Sequence, residues 1–220
     1  MSGLRGAAMI ELLFIRHGET DWNRQQRFQG QIDVPLNQTG EQQAARLAQR
    51  LAPERHDLLF SSDLLRARQT AAPLAAAWQL PLQPLPGLRE QSFGVLEGLD
   101  VPAIQAQHPA LWRDWVGGDA DFAPPGGESQ RQFHTRVLQA VQTLAELSLQ
   151  PRPGAQPATR VVVVTHGGVL DMLWRTVHGR PLHGLRECAI PNTGVNRLRW
   201  AGGALQIEVW GDDAHLQAAA

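Results

Sequence analysis

The chain has 220 residues, 43% of them hydrophobic, and a formal net charge of −1 at pH 7. That length and composition suffice for one substantial core, so we expect a single domain over residues 1–220. The near-zero charge gives no basis for a nucleic-acid partner. The longest apolar stretches fall well short of the ~18 residues of a membrane helix, so no membrane partner is expected either.

Cysteine usage and the N-terminal residues bear on the compartment. The one cysteine, Cys188, excludes an internal disulfide and fits a reducing environment. Residues 1–8 lack the long apolar segment of a secretion signal, and we expect them to be a disordered leader, with Met9 as an alternative start. The sequence therefore predicts a cytoplasmic protein.

All 20 basic residues are arginine, and the chain contains no lysine and no tyrosine. The absence of lysine excludes a Walker-type phosphate loop and Schiff-base chemistry, since both need a lysine amine. Any phosphate must then be held by arginine, histidine, side-chain amides or backbone N–H groups. The planar fork of arginine suits a phosphoryl group well.

Strand and helix patterns alternate through the first half of the chain. The predicted elements there are a strand at 10–15, a helix at 39–51, a strand at 57–61, a helix at 63–78 and a short edge strand at 80–85. Thr39 and Gln42 have the spacing of a capping box for the first helix, and Asp63 is placed to cap the second.

The second half continues the alternation after a loosely patterned segment at about 88–127. The predicted elements are helices at 101–107, 109–116 and 128–147, a proline-rich connector at 150–159, a strand at 161–165, a helix near 169–178 and a closing hairpin of strands 193–200 and 205–210. This order predicts an α/β protein, a three-layer α/β/α sandwich with a mostly parallel central sheet. We expect segment 88–127 to be a small helical lid insertion that shapes substrate specificity.

Two histidines follow closely on strands that are mostly apolar. His17 comes after strand 10–15 and His166 after strand 161–165, and glycine follows each of them. Uninterrupted apolar strands are typical of a parallel sheet buried on both faces, and ligands bind such sheets at the carboxyl ends of the strands. A single histidine here is more often a packed loop residue, but two at the same kind of edge indicate a shared site.

Five ordered blocks of sequence carry a family resemblance. The blocks are RHGETDWN at 16–23 with FQG at 28–30 and DVPL at 33–36, SSDLLRARQT at 61–70, LRE at 88–90 with FGVLEG at 93–98, PGGES at 125–129 and THGG at 165–168. In these blocks the sequence resembles the histidine phosphatase superfamily, in its phosphoglycerate mutase-like branch. The resemblance extends from Met9 to about Trp200.

The resemblance implies a phosphohistidine mechanism. His17 would attack phosphorus, and Arg16, Arg66 and a protonated His166 would stabilise the transferring group. Glu90 would serve first as general acid and then as general base; the alternative is a surface carboxylate paired with its neighbour Arg89. Further substrate contacts are expected from Asn23, Gln29, Gly30 and the N–H of Gly167. The remaining histidines lack the spacing of ligands, so we expect no metal and no cofactor.

Three functions are compatible with these motifs. The first is a histidine acid-type phosphatase, a metal-independent phosphoric monoester hydrolase acting on a small-molecule phosphate ester. The second is a cofactor-dependent phosphoglycerate mutase; mutases of this family carry additional lysine and tyrosine in longer insertions, which this chain lacks. The third, a non-catalytic module that binds phospho-ligands, would predict loss of His17 or Glu90. We therefore favour hydrolysis, and the edge of the closing hairpin offers a surface for a homodimer.

Overall fold

The computed structural model describes residues 9–150 and 158–217. The strands are β1 Ile10–Arg16, β2 Leu58–Ser61, β3 Leu82–Pro84, β4 Arg160–Thr165, β5 Val195–Ala201 and β6 Ala204–Asp212. The helices are α1 Asp21–Arg24, α2 Gln38–Leu51, α3 Leu65–Trp78, α4 Val101–Gln107, α5 Pro109–Val116, α6 Gln130–Leu149 and α7 Gly167–Val177. The predicted leader at 1–8 and most of the predicted connector at 150–159 lie outside the described residues.

The strands form one six-stranded sheet in the order β3-β2-β4-β1-β5-β6. Strands β3, β2, β4 and β1 are mutually parallel, while β5 runs antiparallel to β1 and β6 antiparallel to β5. Alternate residues of β1 and β4 face opposite sides of the sheet because side chains alternate along a strand. The apolar character of both strands is explained by helices that cover both faces.

Each face of the sheet has its own apolar layer. Leu13 and Ile15 of β1 pack with α2 and α3, whereas Leu12 and Phe14 pack with α6 and α7. The prediction of an α/β/α sandwich with a mostly parallel sheet is therefore confirmed. The short helices α4 and α5 occupy the predicted ranges within segment 88–127.

Two predicted helix caps are wrong. Helix α2 is capped by Asn37, whose side chain accepts from the N–H of Gly40, and not by Thr39. Helix α3 has Leu64 at its N-cap and its first N–H, that of Leu65, donates to Asp33 Oδ1; Asp63 does not cap the helix but forms a two-point ion pair with Arg89. The carboxylate of Asp63, which the local pattern predicts as a helix cap, therefore pairs with Arg89 of a neighbouring segment.

Candidate active site

Three adjacent parallel strands deliver polar side chains to one edge of the sheet. β1 ends in Arg16 and His17, β4 leads into His166, and β2 leads into Ser62. The strands β2, β4 and β1 are neighbours in the sheet, so their carboxyl ends lie side by side. The topology thus places the two predicted histidines together, with ring centroids 5.2 Å apart.

His17 is held in one orientation by its own loop. Its Nδ1 lies 2.7 Å from the carbonyl oxygen of Gly18, and the ring is 3% exposed. A neutral imidazole in this contact donates its Nδ1 proton to the carbonyl, which leaves the lone pair on Nε2. An unprotonated Nε2 is the form that a nucleophilic histidine requires.

The loop that carries His17 packs closely against helix α2. An added Cβ at Gly18 would lie 2.7 Å from the carbonyl oxygen of Gly40, and one at Gly40 would lie 2.1 Å from the carbonyl oxygen of Glu19. The N–H of Gly18 also donates to the hydroxyl of Thr70 on α3. These backbone contacts fix the position of His17 relative to both helices.

His166 is fully buried and bonded on one side. Its Nε2 lies 2.7 Å from the hydroxyl oxygen of Ser62, while its buried Nδ1 has no hydrogen-bond partner in the part of the chain that the structure describes. A buried ring nitrogen without a partner is costly unless a ligand completes it. The sequence blocks contain Ser62, but its role as the partner of His166 was not predicted, because it depends on strand order.

Arg16 and Arg66 are anchored by backbone carbonyls. Arg16 donates from Nη1 to the carbonyl of Ile190 at 2.7 Å. The fully buried Arg66 donates from its two terminal nitrogens to Ile32 and Gly30 at 2.9 and 2.7 Å. Among the described residues, Nε of both arginines is buried without a partner, and neither guanidinium has a hydrogen-bonded carboxylate. Both guanidinium groups therefore retain positive charge for a ligand.

The charges in this cluster act on one another. Burial, together with the cations of Arg66 and Arg16, holds the pKa of His17 well below its ordinary value. Burial and Arg66 do the same to the pKa of His166. Burial and the nearby Arg186 lower the pKa of Arg16 to about 10. Both histidines are therefore neutral in the ligand-free protein, and the predicted protonation of His166 requires a bound anion.

The two predicted amide contacts lie at one cavity: helix α1 carries Asn23, and Gln29 follows in the next loop. Neighbouring side chains complete the lining of this cavity, whose predicted site residues are Arg16, His17, Asn23, Gln29, Gly30, Arg66 and Glu90. Thr20 caps α1, and its N–H donates to Asn23 Oδ1 at 3.1 Å. The Thr20 hydroxyl lies 3.0 Å from Gln29 Oε1. The oxygen of each amide is thus engaged, and its NH₂ group is the donor available to a ligand. We call this space the phosphoryl cavity.

Gly30 occupies a position that only glycine fits well. Its φ is +51°, in the region that favours glycine, and an added Cβ would lie 1.9 Å from Oε1 of Glu97. Glu97 Oε1 in turn accepts from the N–H groups of Gln31 and Phe93. The carboxylate of Glu97 therefore ties the loop that holds Arg66 to the segment that follows Glu90.

Glu90 lies between the phosphoryl cavity and helix α7. Its Oε2 accepts from the N–H of Gly168 at 3.0 Å, and its Oε1 from the N–H of Gln91 at 3.0 Å. Arg89 pairs with Asp63 and not with Glu90, which removes the structural basis for the alternative of a surface ion pair. Glu90 is thus positioned at the cavity that contains His17.

The N-terminus of α7 adds backbone donors. His166 is the N-cap residue, and Gly167 is the first residue of this 11-residue helix. A helix N-terminus favours an anion through its free N–H groups and its dipole. An added Cβ at Gly167 would meet Arg16 Nε at 3.4 Å and Arg186 Nη2 at 3.5 Å, so this backbone lies against two guanidinium groups.

Two charged residues near the site were missed by the sequence interpretation. Arg186 lies in a loop without a recognisable motif, and its Nε is 3.8 Å from Asp171 Oδ1. Asp171 lies on α7 and is 8% exposed. No motif or spacing identifies either residue, because only the folding of the loop after α7 brings Arg186 to Asp171.

The described residues contain neither a cluster of metal ligands nor a membrane-spanning helix. Within 9–150 and 158–217, no three His, Cys, Asp or Glu side chains are grouped so as to hold a metal ion. In the same ranges, no helix is both long and apolar enough to cross a membrane.

Comparison with known proteins identifies the family. The family model of the histidine phosphatase superfamily (branch 1) matches residues 12–213. A protein of Salmonella paratyphi C described as "probable phosphoglycerate mutase GpmB" is 34% identical over 217 residues, which cover 96% of this chain and 97% of that protein.

Solved structures agree with this match. A mycobacterial glucosyl-3-phosphoglycerate phosphatase has a TM-score of 0.77 and 32% identity, covering 92% of this chain and 99% of that one. The α-ribazole phosphatase of Shigella flexneri has a TM-score of 0.82 and 25% identity, covering 93% and 97%. The chain therefore belongs to branch 1 of the histidine phosphatase superfamily and is a phosphatase or mutase enzyme.

Proposed function

We propose that this protein is a metal-independent phosphomonoesterase that hydrolyses a small phosphate ester through a phosphohistidine at His17. The observation that carries the proposal is the set of buried nitrogens without hydrogen-bond partners, namely Nε of Arg16, Nε of Arg66 and Nδ1 of His166. A phosphoryl group supplies several acceptor oxygens and negative charge to such a set. The two guanidinium groups would repel a metal ion from the same position.

The first half-reaction transfers the phosphoryl group to the enzyme. Nε2 of His17 attacks phosphorus, and the bond between phosphorus and the ester oxygen breaks. The departing alkoxide takes a proton from the carboxyl group of Glu90. The charge on the transferring oxygens is stabilised by Arg16 and Arg66, and by the proton that His166 takes up as the anion binds.

The second half-reaction returns the enzyme to its starting state. The Glu90 carboxylate takes a proton from water as the water oxygen attacks phosphorus, and the bond between phosphorus and His17 breaks. Glu90 is then protonated again, and His17 is neutral. Inorganic phosphate is the product. Two similar structures of the mycobacterial phosphatase contain VO₃ and inorganic phosphate, which fits an anion site in this family.

A phosphoglycerate mutase is the second candidate, and the 34% identity to a probable mutase favours it. A mutase would return the phosphoryl group to a sugar acid instead of water. Within the family resemblance, mutases use extra lysine and tyrosine around the mouth, and this chain has neither residue. Hydrolysis therefore fits the composition better.

One assay separates the two reactions. Phosphate release is measured on a panel of phosphomonoesters in EDTA, with and without 3-phosphoglycerate and its bisphosphate primer. We expect release from one or more esters and none from the His17→Ala variant. Interconversion of 2- and 3-phosphoglycerate without phosphate release would establish the mutase instead. If neither reaction is observed, the third function, a non-catalytic module that binds phospho-ligands, becomes the favoured one.

A further inference from the structure

Residues 190–194, which lead into β5, lie against the backbone of Arg16 and His17 at the end of β1; we call them the pre-β5 loop. The N–H of Thr193 donates to the carbonyl oxygen of Arg16 at 3.0 Å and lies 3.4 Å from that of His17. The side-chain amide of Asn192 donates to the same carbonyl oxygen of His17 at 2.9 Å. The pre-β5 loop therefore holds the backbone of the proposed nucleophile from the side opposite to its own loop contacts.

Thr193 has a backbone conformation that is unusual for its residue type. Its φ is +54°, and of the three non-glycine residues with positive φ in the described ranges it is the one with a branched β-carbon. A β-branched residue in this region is an outlier, and such strain persists only where the surrounding contacts over-determine the conformation. Thr193 is fully buried. The contacts of its side chain are therefore part of what holds this strained turn.

A chain of hydrogen bonds links Thr193 to the C-terminal segment. The Thr193 hydroxyl donates to the carbonyl oxygen of Asn192 at 2.7 Å, and its oxygen lies 2.9 Å from Nε2 of His215. His215 belongs to a short 3₁₀ helix, Ala214–Leu216, which packs on α2. The strained turn beside His17 is thus tied to a segment that follows it by about twenty residues.

The direction of each bond in this chain follows from Arg50 on α2. Its Nη1 lies 3.3 Å from Nδ1 of His215, and because a guanidinium N–H only donates, this Nδ1 must accept. Nε2 of the neutral His215 ring then carries the proton and donates it to the Thr193 oxygen. Burial and the cation of Arg50 lower the pKa of His215, which favours this neutral form. Arg50 is fixed in turn by a two-point pair with Asp212.

We infer that Asn192, Thr193 and His215 are positioning residues for the nucleophile. Asn192 and Thr193 hold the carbonyl group of His17, and the bond from His215 keeps the strained turn in the conformation that presents them. The imidazole of His17 is thereby kept in line for attack on phosphorus, where a misplacement of about 1 Å costs on the order of 100-fold in rate. This inference rests on the proposed function, because it takes His17 as the nucleophile.

The hydroxyl group of Thr193 can be removed at nearly constant volume. Thr193→Val eliminates both of its hydrogen bonds, and we expect kcat/KM for the ester hydrolysed fastest to fall on the order of tenfold. Thr193→Ser keeps the hydroxyl and should recover most of that loss. Asn192→Leu removes the direct bond to His17 and should cost a similar factor. Thr143→Val, at an exposed position of α6 where the hydroxyl also bonds to a backbone carbonyl, is the control and should keep the wild-type kcat/KM.

His215 provides a second pair of variants at the other end of the hydrogen-bond chain. His215→Gln keeps an N–H donor near the position of Nε2, whereas His215→Leu has no donor. His215→Leu should lower kcat/KM severalfold, and His215→Gln much less. If both residues act through the strained turn, the double variant Thr193→Val/His215→Leu is no slower than Thr193→Val alone. His215→Leu also decides the question if Thr193→Val does not fold.

Inhibition by two anions distinguishes a positioning role from general damage to the site. Inorganic phosphate binds to the cations of the phosphoryl cavity, whereas vanadate also forms a bond to the nucleophile and resembles the transition state. For Thr193→Val, Asn192→Leu and His215→Leu, we expect the Ki of phosphate to change by less than about threefold. The Ki of vanadate should rise by the factor by which kcat/KM falls. Equal rises in both Ki values would indicate a structural role and overturn the inference.

The activity of the wild type separates the two levels of the proposal. If the wild type releases phosphate but Thr193→Val and His215→Leu both retain its kcat/KM, the positioning role is wrong and the phosphatase stands. The same conclusion holds if the losses of the two variants add in the double variant. If the wild type releases phosphate from no ester of the panel, or His17→Ala remains active, the proposed function fails and the positioning role fails with it.

Discussion

Gly168 contacts the carboxyl group of Glu90 and leaves no room there for a side chain. Its N–H donates to Oε2 of Glu90 at 3.0 Å. A Cβ added at Gly168 would lie 2.1 Å from Oε1 of Glu90, 3.1 Å from its Cδ and 3.2 Å from Cε1 of Phe133. Because real contacts of this kind are never so short, the Gly168→Ala variant must displace the Glu90 carboxyl group. The substitution therefore moves the carboxyl group of Glu90, the proposed general acid, without changing its chemistry.

The expected loss of kcat/KM in the Gly168→Ala variant follows from two contributions to catalysis. A hydrogen bond to a charged carboxylate contributes about 1.5–3 kcal/mol, and a positioned general acid contributes roughly 10²–10⁴-fold in rate. We expect kcat/KM of Gly168→Ala for alkyl phosphates to fall on the order of 100-fold. The fall for p-nitrophenyl phosphate should be much smaller, since its leaving group needs little proton donation. Alanine has the higher helix propensity, by up to about 1 kcal/mol, so α7 itself is not weakened.

The assay compares kcat/KM for the two ester types in four proteins: wild type, Gly168→Ala, Glu90→Gln and the double variant. If the glycine acts through Glu90, the double variant is no slower on alkyl esters than Glu90→Gln alone. Gly167→Ala is the matched comparison, because its Cβ would touch only guanidinium atoms at 3.4–3.5 Å, and its loss should be smaller. Additive losses in the double variant, or equal losses on both ester types, would refute the assignment of Glu90 as the acid.

Three further predictions follow from the same geometry. His17→Ala should abolish both turnover and the labelled phosphoenzyme, which as a phosphohistidine is stable in base and labile in acid, while the melting temperature stays near that of the wild type; substantial residual activity would exclude His17 as the nucleophile. EDTA should leave the rate unchanged, and inhibition reversed by added metal would contradict the mechanism. The ligand-free protein should lose stability as the pH falls below about 6.5, because His17 and His166 stay neutral when folded but take up protons when unfolded. The slope is up to about 1.4 kcal/mol per pH unit for each histidine. Denaturant titrations at pH 7.5 and 5.5 measure how much the free energy of unfolding changes between the two pH values. The His166→Gln variant should show a smaller change; an unchanged value would show that His166 is not buried in its neutral form.

The site residues that follow strands were accessible from the sequence because strand ends are marked by a change from apolar to polar residues. His17 and His166 each follow a mostly apolar strand, and the sheet order then brings them together. Short helices bounded by proline were also placed correctly, since Pro102 and Pro109 lie at the first turns of α4 and α5. The assignment of roles to these residues stays a prediction.

Features that depend on long-range partners were not accessible. Asp63 has the local pattern of a helix cap, but Arg89 is 26 positions away in the chain and takes its carboxylate. Asp171 and Arg186 belong to no motif. Arg186 reaches Asp171 on α7 only through the path of the loop that follows this helix. Their distance of 3.8 Å is a property of the folded chain that no residue spacing encodes.

In the proposed reaction, the buried nitrogens of Arg16, Arg66 and His166 that bind the phosphoryl group also limit the rate of turnover. Inorganic phosphate presents the same oxygens to Arg16, Arg66 and His166 as the ester does, so the product of the proposed reaction competes with its substrate. Occupancy of the site then depends on the phosphate concentration around the enzyme as well as on the supply of ester. The proposed hydrolysis should therefore slow when phosphate is abundant and accelerate when it is scarce, so that the cavity responds to the concentration of its own product.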